Sequence, residues 1–398
     1  MSSADVSKQG ARVKSGAERQ GEIYAAGVKG VKPRVPTRLE VLEQRAKEIL
    51  KPEAYDYVAG SAGSEGTYRA NLEAFHRWRI VPHMLRNVEQ RDLSTELFGA
   101  RLPAPVALAP VGVQGIIHKD GEVASGKGAA AIGIPFTLST VSSRSLEEVA
   151  KAMGDSPRWF QLYWARHPEI THSLLQRAEA AGYSALLVTL DTTMLAWRPR
   201  DLDHAYLPFL YAEGLANYYT DPAFLAELKV KPEENRTAAV TLWRSIFSNT
   251  RLTWDDLKWL RAHTRLPIVL KGIQRSDDAA RAAEEGVDGI LVSNHGGRQV
   301  DGAVASLEAL PGALEAVAGR IPVLFDSGIR RGADAVKALA LGAKAVLLGR
   351  PYIWGLAVAG EDGVREVAEN FCADFDLTMA LSGYTKVSEL SPDSLVRD

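Results

Sequence analysis

Apolar and polar positions along this chain change period many times, and the period identifies the elements. From residue 104 onward, short apolar runs recur at Val106–Ala109, Phe136–Ser139, Trp159–Leu162, Ala185–Leu190, Ile268–Leu270, Gly289–Val292, Val323–Phe325 and Ala345–Leu348. Runs of this length, bounded by turn residues, read as buried strands. Stretches rich in Ala, Glu, Lys and Arg separate most of them, over 120–132, 145–153, 169–181, 254–263, 276–285, 307–318 and 332–341. Strand–helix alternation predicts parallel strands joined by crossovers, and eight units over roughly 250 residues predict an α/β fold of the (β/α)8 barrel type.

Two regions stand outside this rhythm. Upstream, Leu39, Val41, Leu42, Ala46 and Leu50 fall near one face of a helix over 38–50, so an N-terminal helical segment precedes the barrel. Residues 1–35 are polar, end in Lys29-Gly30-Val31-Lys32-Pro33 and read as a flexible arm, leaving 36–390 as the barrel domain. After the fourth strand, residues 192–253 form a long insertion with many aromatics, among them Trp197, Tyr206, Phe209, Tyr218, Trp243 and Phe247. An insertion of that length is a lid over the site or an added subdomain, and its aromatics could also mark a subunit interface.

Composition narrows the class. A hydrophobic fraction of 46% with 24% charged residues is that of a globular protein. The net charge of −2 argues against a nucleic-acid binder, which shows a basic face. The single cysteine, Cys372, leaves no intrachain disulfide and no cysteine-based metal site, and no metal is expected. No apolar run approaches the roughly 18 residues of a membrane span. The first residues lack the apolar core of a secretory signal, so the expected location is the cytoplasm.

In a barrel the chemistry sits just past the carboxyl ends of the strands. After strand six stands Ser293-Asn294-His295-Gly296-Gly297-Arg298-Gln299. Its His can take a proton near neutral pH and its Arg can hold a carboxylate through two parallel hydrogen bonds. Its glycines let the backbone turn tightly or approach a flat ligand. The other strand ends carry Pro110-Val111-Gly112, Ser139, Gln161 with Tyr163, Thr189 with Asp191 and then Arg198, Lys271, Asp326 with Gly328 and Arg330, and Gly349-Arg350. Glycines with arginines after strands seven and eight fit the phosphate site of this fold. Ser139, Gln161, Thr189 and the backbone near Gly112 suit the amide edges of a large heteroaromatic ring, and ring plus phosphate matches FMN. Lys271 could form a Schiff base or place a positive charge beside an electron-accepting cofactor. Arg198, Arg298, Tyr57 and Tyr163 favour a small carboxylate, with His295 and Asp191 as a base and its partner. Together these groups predict oxidation of a 2-hydroxy acid, with either the hydroxyl or the α-proton going to the His.

From about Tyr55 to Tyr384 the chain resembles the FMN-dependent 2-hydroxy acid oxidase and dehydrogenase family. SNHGGRQ, FDSGIRRGADAVKALALGA and LLGRP carry that resemblance. It implies FMN as cofactor, His295 as base with Asp191 as its partner, and Tyr57, Tyr163, Arg198 and Arg298 as the substrate-binding set. It implies Pro110, Val111, Gly112, Ser139, Gln161, Thr189, Lys271, Ser293, Asp326, Gly328, Arg330, Gly349 and Arg350 as the FMN set. L stereochemistry and a homo-oligomer, tetramer or octamer, are further implications. Within the family, Gly112 and the insertion segments around Trp197-Arg198-Pro199-Arg200-Asp201, Asn217-Tyr218-Tyr219 and Leu242-Trp243 are similar to the lactate 2-monooxygenases. That implies L-lactate and O2 going to acetate, CO2 and water. The alternative is an oxidase releasing pyruvate and H2O2, and a distant one is a flavin-free aldolase or isomerase built on Lys271. Val141, where some relatives carry an aromatic, leaves the chain length of the substrate open.

Overall fold

A computed structural model of the protein describes residues 13–398. Eight parallel strands close into a barrel in sequence order: β1 (Val106–Leu108), β2 (Phe136–Ser139), β3 (Arg158–Leu162), β4 (Leu186–Thr189), β5 (Ile268–Ile273), β6 (Gly289–Val292), β7 (Val323–Phe325) and β8 (Ala345–Leu348). Pairing of β8 with β1, Val346 opposite Val106 and Leu348 opposite Leu108, completes the closure. All residues of β2, β4, β6 and β8 are buried, which is why these strands read as unbroken apolar runs rather than as alternation. Small residues and aliphatics, including Ala107, Ala109, Ala185, Leu187, Val269, Leu291, Leu324 and Leu347, gather with Trp159 in a core of their own. A hairpin of Thr95–Leu97 and Ala100–Leu102 joins that core through Leu97 and Leu102, with Phe98 edge-on to Trp159 at 5.7 Å. The hairpin lies in a stretch whose pattern is mixed, because its inward residues serve a core assembled by distant strands.

Helices α1 (Gly16–Val28), α2 (Leu39–Ile49), α3 (Pro52–Ala59) and α4 (Gly66–His76) precede the barrel. The barrel's own helices include α5 (Gly121–Ala130), α6 (Leu146–Met153) and α7 (Pro168–Ala180) in its first half. The expected flexible arm needs correction: Ser15 and Glu18 form a reciprocal capping box that starts α1. Gly16 N donates to Asp376 at 2.8 Å and Arg19 to Asn370 at 2.8 Å, which fastens α1 to the last helix. Residues 1–12 of that expected arm lie outside the described residues.

The insertion is ordered. It contributes α8 (Pro199–Asp203), α9 (Ala216–Tyr219), α10 (Pro222–Ala226) and α11 (Arg236–Phe247). Phe209, Tyr218, Phe224, Trp243 and Phe247 are buried within it, with Phe209 and Trp243 ring centroids 4.6 Å apart. Trp197 and Tyr211 stay mostly exposed. Then α12 (Asp256–His263), α13 (Ser276–Glu284), α14 (Ser306–Val317) and α15 (Gly332–Leu341) complete the crossovers. The final helix, α16 (Arg350–Leu381), was not legible as such. It breaks at Ala359 and Gly360, the latter with φ of 60°. Its two halves fold so closely together that a Cβ on Gly363 would stand 1.8 Å from the Gly355 carbonyl. Glycines at a helix–helix contact look like breakers when only the chain pattern is read.

The strand ends differ from expectation at one informative place. β5 continues through Lys271 to Ile273, with an irregular register at Gly272. Gly272 has φ of 107°, and a Cβ there would come within 2.8 Å of the Asp191 side chain. Lys271 therefore sits inside a strand, opposite Thr189, rather than in the loop beyond it.

Candidate active site

The loop after β6 holds its His in an uncommon conformation. His295 has φ of 59°, left-handed for a residue with a side chain. Three contacts over-determine it: His295 N donates to Ser293 Oγ at 3.1 Å, Gly296 N to Ser327 Oγ at 3.0 Å, and Gly297 N to Asn294 Oδ1 at 3.1 Å. Asn294 exchanges two hydrogen bonds with Asn71 of α4, at 2.8 and 2.7 Å. The sequence offered no signal for that pair, since its members are far apart along the chain. Gly297 has φ of 77°, and a Cβ there would lie 2.6 Å from the Tyr68 backbone nitrogen. This glycine thus serves the approach of α4 rather than that of a flat ligand.

His295 Nδ1 lies 2.7 Å from Asp191 Oδ1. A carboxylate can only accept, so Nδ1 carries the proton and Nε2 keeps its lone pair. The second Asp191 oxygen accepts from Lys271 Nζ at 3.2 Å, and Thr192 Oγ1 donates to the first at 2.8 Å. Lys271 Nζ also donates to Ser293 at 3.2 Å and lies 3.3 Å from His295 Nδ1. Burial works to raise the Asp191 pKa, yet the His295 and Lys271 charges outweigh it and hold the carboxyl well below its usual range. Burial pushes His295 below the ordinary 6.5, with Asp191 opposing and Lys271 reinforcing the shift. The imidazole is therefore neutral at neutral pH, as a base must be.

A cleft of about 1030 Å³, its mouth included, opens over this cluster at the carboxyl ends of the strands. His295 and Lys271 line it together with Tyr57, Tyr163, Arg198 and Arg298. Asp326, Gly328, Arg330, Gly349 and Arg350 line the same cleft, as do Pro110, Val111 and Gly112. Asp191, Ser139, Gln161, Thr189 and Ser293 stand behind this lining. Ser139 donates to Gln161 Oε1 at 2.8 Å and Gln161 donates to Thr189 at 2.9 Å, a buried row across β2, β3 and β4. Gly112 is required by the protein itself: a Cβ would lie 2.6 Å from the Val141 carbonyl. The insertion supplies Leu195, Phe209 and Phe247 to the lining, and Tyr163 packs edge-on to Phe247 at 5.1 Å. These contributors were missed because the aromatic cluster gives no clue to which of its members face inward.

Positive charge is concentrated here, with Asp326 in the lining and Asp201 near enough for its charge to act on Arg298 and Arg198. Among the described residues, Arg198, Arg298, Arg330 and Arg350 form no ion pair. Arg298 donates to the Gly60 carbonyl at 2.7 Å and lies over the Tyr57 ring at 5.3 Å. Arg198 donates to the Arg298 carbonyl at 3.1 Å and to Gln299 at 2.7 Å. Arg350 spends its donors on the carbonyls of Val58, Gly60 and Gly296 and on Ser61 Oγ. Arg330 makes one side-chain hydrogen bond, to the Ile329 carbonyl at 2.9 Å. Burial, then the charge of Arg198, brings Arg298 down to about 10, and burial with Arg298 and Arg330 brings Arg350 to about 9. Such a set is stabilised by anions. Helix α16 begins beside it with no side-chain cap on its first N–H groups, which suits a phosphate. Cleft volume, arginine-rich end and uncapped helix fit the ring and phosphate of FMN. Among the described residues, no group of three or more His, Cys, Asp or Glu side chains is placed to hold a metal ion. No helix among them is long and apolar enough to cross a membrane.

Comparison with known proteins agrees with this geometry. The family profile described as FMN-dependent dehydrogenase matches residues 46–397. The chain is 45% identical over 368 residues to the FMN-dependent alpha-hydroxy acid dehydrogenase qulF of Penicillium citrinum, covering 92% of each. It is 43% identical over 357 residues to an L-lactate oxidase of Lysinibacillus sphaericus, covering 90% of this chain and 92% of the relative. Among solved structures, mandelate oxidase with (S)-4-hydroxymandelic acid superposes with a TM-score of 0.81 at 39% identity, over 91% of this chain and 99% of that one.

Because Arg330 has no competing acid, its replacement should act on the phosphate end alone. Arg330→Ala is expected to weaken FMN retention on the order of 10- to 100-fold, the worth of one charge-assisted hydrogen bond. Flavin fluorescence on dilution measures this, and wild-type retention would remove Arg330 from the phosphate site.

Proposed function

We propose that this chain, which belongs to the FMN-dependent dehydrogenase family and is an FMN-dependent 2-hydroxy acid oxidoreductase, oxidises a small L-2-hydroxy acid, lactate foremost, with O2 as electron acceptor, releasing the 2-oxo acid and H2O2. The observation that carries this reading is the His295 imidazole, its Nδ1 held by Asp191 at 2.7 Å and its Nε2 left free, next to two arginines without acid partners. Arg198 and Arg298 hold the substrate carboxylate. Tyr57 and Tyr163, whose phenols make no hydrogen bond within the described chain and line the same cleft, meet the remaining substrate oxygens. His295 takes one proton, and Asp191 stabilises the resulting imidazolium. Bound FMN supplies the two-electron acceptor. Lys271 places a cation at the floor of the cleft, held by Asp191 and Ser293. That engagement fits a charge-compensating role and leaves the Schiff-base aldolase reading without support. Val141, Leu195, Phe209 and Phe247 present no charge to the substrate's side chain, which suits an apolar one.

The oxidase outcome has the better support from the relatives, one of which is an L-lactate oxidase. The monooxygenase outcome, lactate to acetate, CO2 and water, has one observation in its favour. The insertion walls the substrate end through Leu195, Arg198, Phe209 and Phe247, and a closed wall delays product escape.

Mixing the holoenzyme anaerobically with L-lactate should bleach the flavin. His295→Ala should retain FMN but slow that bleaching on the order of 10²–10⁴-fold, the usual worth of a general base; near-normal bleaching would remove His295 from the reaction. The same assay has a pH signature. Reduction needs the unprotonated imidazole, and the His295 pKa lies below 6.5. The rate should therefore rise with pH and level off at or below neutrality. An acid limb centred above 7 would contradict this assignment.

A further inference from the structure

The insertion is fastened to the N-terminal helices by charged groups that the reaction does not use. Arg200, in α8, forks between two elements: one guanidinium nitrogen lies 3.1 Å from Asp56 Oδ1 of α3, the other 2.7 Å from Glu65 Oε2 at the start of α4. His204, just beyond α8, lies 2.8 Å through Nε2 from the second Asp56 oxygen. The second Glu65 oxygen accepts from Ser61 N at 3.1 Å, and Gly63 N donates to the Trp197 carbonyl at 3.0 Å. The carboxylates are mostly shielded, with side-chain exposures of 24% for Asp56 and 18% for Glu65. An isolated exposed ion pair contributes little, but a bidentate arginine joining two shielded carboxylates from separate elements fixes geometry.

What this cluster fixes is the substrate end of the cleft. Asp56 immediately precedes Tyr57, and Arg200 stands two residues after Arg198. Tyr57 and Arg198 belong to different segments, one on α3 and one in the insertion, and both line the cleft. The turn between α3 and α4 also supplies Gly60, whose carbonyl accepts from both Arg298 and Arg350. The Arg200 fork, with the His204 contact beside it, thus joins the two segments that carry Tyr57 and Arg198.

Building on the function proposed above, we infer that Arg200 is a positioning residue: by clamping the insertion to α3 and α4 it keeps Arg198 and Tyr57 over the bound acid and governs how fast the 2-oxo acid leaves. Loosening the clamp raises the Michaelis constant and product escape while leaving the proton-accepting step at His295 largely intact.

The test uses the FMN-loaded full chain and its Arg200→Ala and Arg200→Lys variants. Pyruvate binding to the oxidised holoenzyme, read from flavin absorbance in stopped flow, gives the product's dissociation rate directly. Arg200→Ala should raise that rate and the KM for L-lactate about tenfold, with the limiting anaerobic reduction rate within about threefold of wild type, as for loss of one charge-assisted contact remote from the chemistry. Arg200→Lys should fall between, since an ammonium reaches one carboxylate but cannot fork. Hydrogen exchange over residues 197–204 should quicken in Arg200→Ala. Unchanged pyruvate dissociation together with unchanged exchange would overturn the inference, as would a lowered reduction rate at unchanged KM. Should Arg200→Ala fail to fold, Glu65→Gln and Arg200→Lys carry the same comparison. If no 2-hydroxy acid bleaches even the wild-type flavin, the functional reading fails, and the exchange comparison alone decides the clamp.

Discussion

Asp191 stands at the end of β4 with an imidazole on one oxygen and an ammonium on the other, at 2.7 and 3.2 Å. Both partners come from neighbouring strand ends, Lys271 from β5 and His295 from just past β6. The carboxylate therefore ties three adjacent strands together and fixes the His tautomer at once. Its surroundings are built to allow this: Gly272 leaves the space a Cβ would take beside Asp191, and Thr192 satisfies a further lone pair. Three ionisable groups withdrawn from water stabilise one another only as a set. Removing Asp191 or Lys271 leaves an uncompensated buried charge, at a cost of about 3–5 kcal/mol.

The rest of the cleft answers the opposite charge requirement. Beyond Asp191 it is lined by arginines that find carbonyls, an amide and a hydroxyl but no acids among the described residues. Carbonyl partners orient a guanidinium without neutralising it, so anions stabilise this set. Under the function proposed above, a substrate carboxylate and a cofactor phosphate are the two anions that would answer this charge. Around the substrate-binding groups the walls come from two sources, α3 and the insertion, joined by the contacts among Asp56, Glu65, Arg200 and His204.

The barrel and most of its cleft were legible in the chain because both rest on local signals. Strands buried on both faces give continuous apolar runs, and in this architecture polar residues just past those runs gather at one mouth. Arg298, Arg198 and Tyr163 could be grouped on that ground, whereas Tyr57, on α3 ahead of the barrel, joined them through its chemistry and the family resemblance; all four line one cleft. Features built from distant pairs were not legible. The Asn71–Asn294 exchange, the Arg200 fork and the hairpin beneath Trp159 each need two segments far apart in the chain, and neither segment alone has a telling pattern. One local signal pointed the wrong way. A polar N-terminal stretch looked flexible although Ser15 and Glu18 cap a helix within it.

The measurement that tests the central claim most directly is the product balance of the wild-type holoenzyme. L-Lactate and O2 are supplied with catalase present from the start, so that free peroxide cannot decarboxylate pyruvate in solution. Pyruvate accumulating in equal amount to the lactate consumed is the result expected of an oxidase whose site releases its 2-oxo acid. Acetate and CO2 matching the lactate consumed, with no pyruvate, would contradict that account and show that the product is oxidised before the insertion lets it go.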